Sequence, residues 1–215
     1  MSRYFVGMTG ASGQLYGERL VRALVAAGHE VDLALSPAAT KVFPHELGHT
    51  VGKNGEKLGA RLPAWLGEET AAHVRAFRCD AIEAPASSGT SGIRAVILCP
   101  CSMGTLARVA AGYSSNLVER AADVALKERR ELVLVPRETP LSEIHLENLL
   151  RLRRLGAVVL PAMPGFYHLP RSIEDLVDHV VGKVLDALRI EHSVGARWEG
   201  MGKPATEDPG LEVDP

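Results

Sequence analysis

The chain has few cysteines, few aromatics and no excess of either charge. Cys79, Cys99 and Cys101 are the only cysteines in 215 residues. Cys99 and Cys101 flank a single proline, which is not the CxxC spacing of a redox or zinc site. So sparse and odd a count suits reduced thiols in a cytoplasmic protein. No stretch reaches the ~18 unbroken apolar residues that a membrane helix needs. The N-terminus runs straight into an apolar strand, without the basic start and cleavage site of a signal peptide. The expected location is therefore the cytoplasm. The net charge of -2 gives no electrostatic footprint for nucleic acid. No HExxH motif, histidine cluster or aspartate-rich DDxxD run occurs, so no metal is implied. The GxGxxG dinucleotide fingerprint is also absent. Ser36 follows the second strand, where an NAD-dependent dehydrogenase would carry an acid.

What remains is an ordinary globular composition, 46% hydrophobic and 23% charged, long enough to bury a core. Apolar runs alternate with helical spacing. Strands are expected at 4–8, 31–35, 94–98, 132–135 and 157–160. Helices are expected at 15–27, from Pro37 to about Leu47, and at 103–111, 117–129, 142–155 and 173–188. Short strands separated by helices imply an α/β protein with a mostly parallel sheet covered on both faces. Residues 49–93 do not follow the alternation. The expected domain is 1–192, followed by a tail at 193–215. In that tail Trp198 stands out as a large aromatic that would dock on something.

Several turns fall just past strand ends, where ligands bind in open α/β sheets. Gly10-Ala11-Ser12-Gly13 is either a tight turn that needs glycine or a phosphate-binding helix start. Ser36 and the segment Ser102-Met103-Gly104-Thr105 hold the same kind of place. Each is either a helix cap or part of one nucleotide pocket. Arg120 and Lys127 lie two turns apart on one face of a predicted helix. Arg137-Glu138 follows a strand and reads alone as a surface pair. Pro161 to Tyr167 forms a proline-fixed loop that presents Tyr167. His145 and His168 lie nearby, and lone histidines are more often packed residues than ligands.

Together these segments resemble the flavin prenyltransferase (UbiX-like) family. The resemblance rests on Gly-Ala-Ser-Gly at 10–13, Cys-Ser-Met-Gly-Thr-Leu-Ala at 101–107 and the run from Asn116 to Arg130. It continues through Pro-Arg-Glu-Thr-Pro-Leu-Ser at 136–142, Ile-His-Leu-Glu-Asn at 144–148 and Pro-Gly-Phe-Tyr at 164–167. It implies a Rossmann-like, flavodoxin-like three-layer fold that binds FMN. By the resemblance, Gly10, Ala11, Ser12, Ser36, Ser102, Met103, Gly104, Thr105 and Arg137 would hold the flavin. Dimethylallyl monophosphate would meet Arg120, Lys127, Glu138, Tyr167 and Lys183. The Ser87-Ser88-Gly89 loop would approach from a neighbouring subunit, and Trp198 would cover the site. Ser12, Glu46, Lys127, Glu138 and Tyr167 would take part in catalysis, with Glu138 or the released phosphate as base.

The implied reaction joins the dimethylallyl group to N5 and C6 of reduced FMN. The product would serve a UbiD-like decarboxylase, and the family forms dodecamers. The chemistry suits the residues. Breaking an allylic C–O bond without a metal calls for cationic groups and a phenol at the departing phosphate. Two other flavin readings remain. A flavin-dependent cysteine decarboxylase would carry a Pro-x-Met-Asn loop, whereas this chain has Pro161-Ala162-Met163-Pro164. A non-catalytic flavin-binding subunit would not need the basic groups, Glu138 and Tyr167.

Overall fold

The computed structural model describes residues 1–195 and Arg197. Trp198 and the rest of the tail lie outside the described residues. Six strands form one sheet: β1 (Arg3–Met8), β2 (Glu30–Leu35), β3 (Val74–Phe77), β4 (Ile93–Cys101), β5 (Glu131–Pro136) and β6 (Val158–Val159). Their order is β3-β2-β1-β4-β5-β6, and every pair is parallel. Among the described residues eight α-helices accompany them: α1 (Gln14–Ala26), α2 (Ala39–Leu47), α3 (Leu58–Leu66), α4 (Glu68–Ala71), α5 (Met103–Ala110), α6 (Leu117–Lys127), α7 (Glu143–Arg154) and α8 (Ile173–Ala187). The expected three-layer α/β fold is the one observed.

Alternation along the strands builds the layers. Tyr4, Val6 and Met8 face one core, with Leu20 and Leu24 of α1, Phe43 of α2 and Val181 and Leu185 of α8. Phe5 and Leu98 face the other, with Leu106 of α5 and Leu117, Val118 and Ala121 of α6. Gly7 lies at the closest approach of the second layer. A methyl there would sit 2.7 Å from Val118 Cγ1 and 2.8 Å from Leu98 Cδ2, so glycine is what lets α6 lie against β1. Helix starts are fixed by their first residues. Asn116, Ser142 and Ser172 each accept a backbone N–H three residues on, which satisfies a donor the helix itself leaves open.

Four expectations need correction. The irregular stretch 49–93 contains α3, α4 and the edge strand β3. Its strand was hidden because Val74–Phe77 is short and carries the exposed Arg75. Pro37 does not start a helix: Pro37 and Ala38 form a turn, and α2 begins at Ala39. The last strand is only Val158–Val159, half the expected length. Helix α6 stops at Lys127, before the positive φ of Arg129.

Candidate active site

The strand-end edge of the sheet gathers the turns after β1, β2, β4 and β5. The first two touch directly. A methyl on Gly10 would lie 2.5 Å from Ala38 Cβ, so the turn after β1 fits against the turn after β2 only without a side chain. Ser36 is buried, and its N–H donates to the Met8 carbonyl at 2.9 Å. Thr9 ties in the turn after β4. Its Oγ1 donates to the Pro100 carbonyl at 2.9 Å and accepts the Ser102 N–H at 2.6 Å. Arg137 closes the set: its N–H donates to Cys101 O at 3.2 Å and its Nε to Ser12 O at 3.1 Å.

Glu46 enters this cluster from the far end of α2. Its Oε2 accepts the N–H groups of Gly13 at 2.9 Å and Gln14 at 2.7 Å. Gly13 carries no side chain that can cap α1, so a carboxylate from another helix performs the capping. The two helix starts at this edge therefore differ in the charge they face. The first amides of α1 already face a negative charge. The start of α5 faces Ser102, whose Oγ accepts the Thr105 N–H at 3.4 Å, and further helix-start N–H groups there lack intrahelical partners. Met103 and Thr105 are buried, so a ligand would meet their backbone rather than their side chains.

The support beneath α5 is ionic. Arg108 donates to Glu119 Oε1 and to Thr105 Oγ1. Glu119 has no exposure and also accepts the N–H and hydroxyl of Ser115 at 2.8 and 2.7 Å. Burial would raise its carboxyl, but the Ser115 bonds and Arg108 together hold it below the ordinary carboxylate value. Burial pushes the Cys101 thiol up to about 12 and the Cys99 thiol higher still. Neither thiol is a nucleophile near neutrality.

The other predicted residues fall elsewhere. Glu138 lines a cavity of about 200 Å³ with Leu141, Leu149 and Met163, on which Arg137 of the cluster also borders. Tyr167, Lys183 and Arg197 line one of about 260 Å³ beside α8. Arg120, in the first turn of α6, pairs with Asp123 at 2.7 Å, and Lys127 in its last turn pairs with Glu128 at 2.7 Å. Lys127 is therefore close to the start of β5. The loop at Ser87, Ser88 and Gly89 precedes β4 and is held there by Arg130, which donates to the Gly89 carbonyl and to Ser91 Oγ. Lys127 and this loop thus occupy the strand-start edge, opposite the turns that hold Ser12 and Ser102.

Two contributors escaped the sequence reading. Thr9 joins two turns, and its place in the first turn was its only signal. His179 contacts both Tyr167 and the loop before it. It lies four residues before Lys183 on α8, hence on the same helix face.

The family model described as Flavoprotein matches residues 2–185. The chain is 50% identical to flavin prenyltransferase UbiX of Pseudomonas aeruginosa over 196 residues, 91% of this chain and 93% of that one. Among solved structures it is similar to AnUbiX (PadA1) in complex with FMN and dimethylallyl pyrophosphate. The TM-score there is 0.81 at 39% identity, covering 94% of this chain and 99% of that one. It is also similar to the dodecameric FMN-dependent UbiX-like decarboxylase from Escherichia coli O157:H7. That match has a TM-score of 0.79 at 41% identity, covering 92% and 100% of the two chains. Likeness at this level along nearly the whole chain places it in the flavoprotein family and, within that family, among the UbiX-like flavin prenyltransferases.

Proposed function

We propose that this chain joins the dimethylallyl group of dimethylallyl monophosphate to N5 and C6 of reduced FMN. The prenylated flavin would then pass to a UbiD-like decarboxylase. The observation that carries the reading is the strand-end cradle, where four turns are fastened together around Thr9, Gly10 and Arg137. It fits FMN by the chemistry of its donors. The start of α5 with Ser36 and Ser102 suits the flavin phosphate. The α1 turn, with its amides turned toward Glu46, suits the uncharged ring instead.

Within that frame, Ser12 and Glu46 stand where a proton can be held beside the ring. Glu138 is the candidate base for the C6 proton, with the departing phosphate as alternative. Reduced flavin supplies the nucleophilic nitrogen and carbon. The chain's cations and the Tyr167 phenol supply stabilisation for the phosphate that leaves. Ser87, Ser88, Gly89 and Lys127 stand at the opposite edge of the sheet from the cradle. They serve a cradle only if it belongs to another copy, which supports a homo-oligomer such as a dodecamer. Among the described residues no helix is long and apolar enough to cross a membrane. The three thiols are buried and free, in keeping with a cytoplasmic enzyme.

The test is anaerobic incubation with reduced FMN and dimethylallyl monophosphate, followed by mass measurement of the released flavin. A flavin heavier by one five-carbon unit is the expected result. Unmodified FMN from folded, flavin-bound protein, with the monophosphate and the diphosphate alike, defeats the proposal.

A further inference from the structure

We infer that His179 is a positioning residue for the prenyl-donor phosphate, acting through the Tyr167 hydroxyl; the inference rests on the function proposed above. The argument begins with the two ring nitrogens. His179 Nδ1 lies 3.1 Å from the Gly165 backbone nitrogen, and that N–H donates to it. Nδ1 is therefore an acceptor and carries no proton. In a neutral imidazole the proton must then sit on Nε2. Nε2 lies 3.0 Å from the Tyr167 hydroxyl oxygen, so His179 donates and Tyr167 accepts. The phenol's own proton is directed to a different acceptor.

That direction matters because of what else faces the cavity. Tyr167 and His179 share its wall with Lys183, Arg197, His192 and Asp186. Among the described residues Asp186 is the one carboxylate there, and it faces Lys183 at 3.9 Å, His192 at 3.2 Å and Arg197 at 3.3 Å. An anion is the ligand such a wall favours. A phenol that donates strengthens a bond to a phosphoryl oxygen as the allylic C–O bond breaks and its electron pair moves onto that oxygen. A phenol that accepted from the cavity side would oppose it.

The neutral state of His179 has independent physical support. Burial, then His168 and Lys183, hold its pKa below the ordinary imidazole value. His168 stacks on it at 5.1 Å between ring centres. Asp178, the adjacent acid on α8, is engaged by Arg19 at 2.8 Å and so is not the partner of the imidazole. The Gly165 bond also fixes the loop: a methyl on Gly165 would lie 2.8 Å from the Tyr167 ring.

The experiment is a double-mutant cycle between Tyr167→Phe and His179→Phe, with His179→Gln as the conservative variant. Prenylated flavin formation is measured as kcat and KM, and FMN binding is measured separately as a fold control. Gln keeps a donor near the Nε2 position. His179→Phe should lower kcat by up to about tenfold, the size of one neutral hydrogen bond lost in the transition state. His179→Gln should recover most of that loss. In the Tyr167→Phe background, His179→Phe should cost less than about twofold more, because both changes remove one interaction. Fully additive losses, no recovery by Gln, or unchanged kcat in His179→Phe would overturn the inference. Wild-type protein that leaves FMN unmodified would instead defeat the underlying function.

Discussion

At the scale of single residues, the site is built by side chains that satisfy backbone groups far away in sequence. Glu46 is the clearest case, since its carboxylate caps a helix that begins more than thirty residues earlier. Replacing it with Ala leaves the first amides of α1 without their acceptor. The expected loss of stability is about 1 kcal/mol, together with weaker FMN binding, as read by urea denaturation and flavin fluorescence titration. Unchanged midpoint and affinity would show that water caps α1 equally well. Contacts of this kind also mark the limit of what the sequence discloses. Gly10 and Ser36 stand out from their places after apolar runs. The bond from Glu46 to the α1 turn depends on how two helices meet, and no local pattern encodes it. Family resemblance marked Glu46 as an active-site glutamate, but only the structure shows it capping α1. His179 shows a different limit: a lone histidine in a helix carries no sign of what lies across from it.

At the scale of elements, legibility followed burial. Strands β1, β2, β4 and β5 are buried almost throughout, so apart from Asp32 and the charged residues at their starts their sequences are apolar runs that announce themselves. Strand β3 lies at the sheet edge with Arg75 exposed. Its reason for being a strand is the neighbour it pairs with, and its own residues barely signal it. The close packing of α6 on β1 yields a prediction at this scale. Gly7→Val would drive two methyl groups into Val118 and Leu98, which already meet a single methyl below van der Waals distance. Overpacking of this sort costs about 1–3 kcal/mol. The midpoint of thermal or urea unfolding should fall accordingly. A variant as stable as the parent would mean that α6 moves away freely.

At the scale of the whole molecule, the sheet separates the residues proposed for the site. Ser12, Ser36, Ser102 and Arg137 stand at the ends of strands, whereas Lys127 and Ser87 to Gly89 stand near the starts. Lys127→Ala and Tyr167→Phe should each depress activity roughly tenfold or more, on the scale of a lost charge-assisted bond. Mixed after dissociation and reassembly, the two variants should regain activity above either alone, because some sites would then draw both intact groups from different copies. Mixtures no more active than their components, in assemblies shown by mass to be mixed, would place both groups in one copy's site. The same separation has a consequence in heredity. In the proposed assembly, a chain with a damaged strand-start edge would still fold, still join its neighbours and still offer them its defect. One faulty gene beside a sound one would then spoil about half of the sites, and the spoiled sites would fall on sound cradles as often as on faulty ones, because each cradle borrows its edge from another copy.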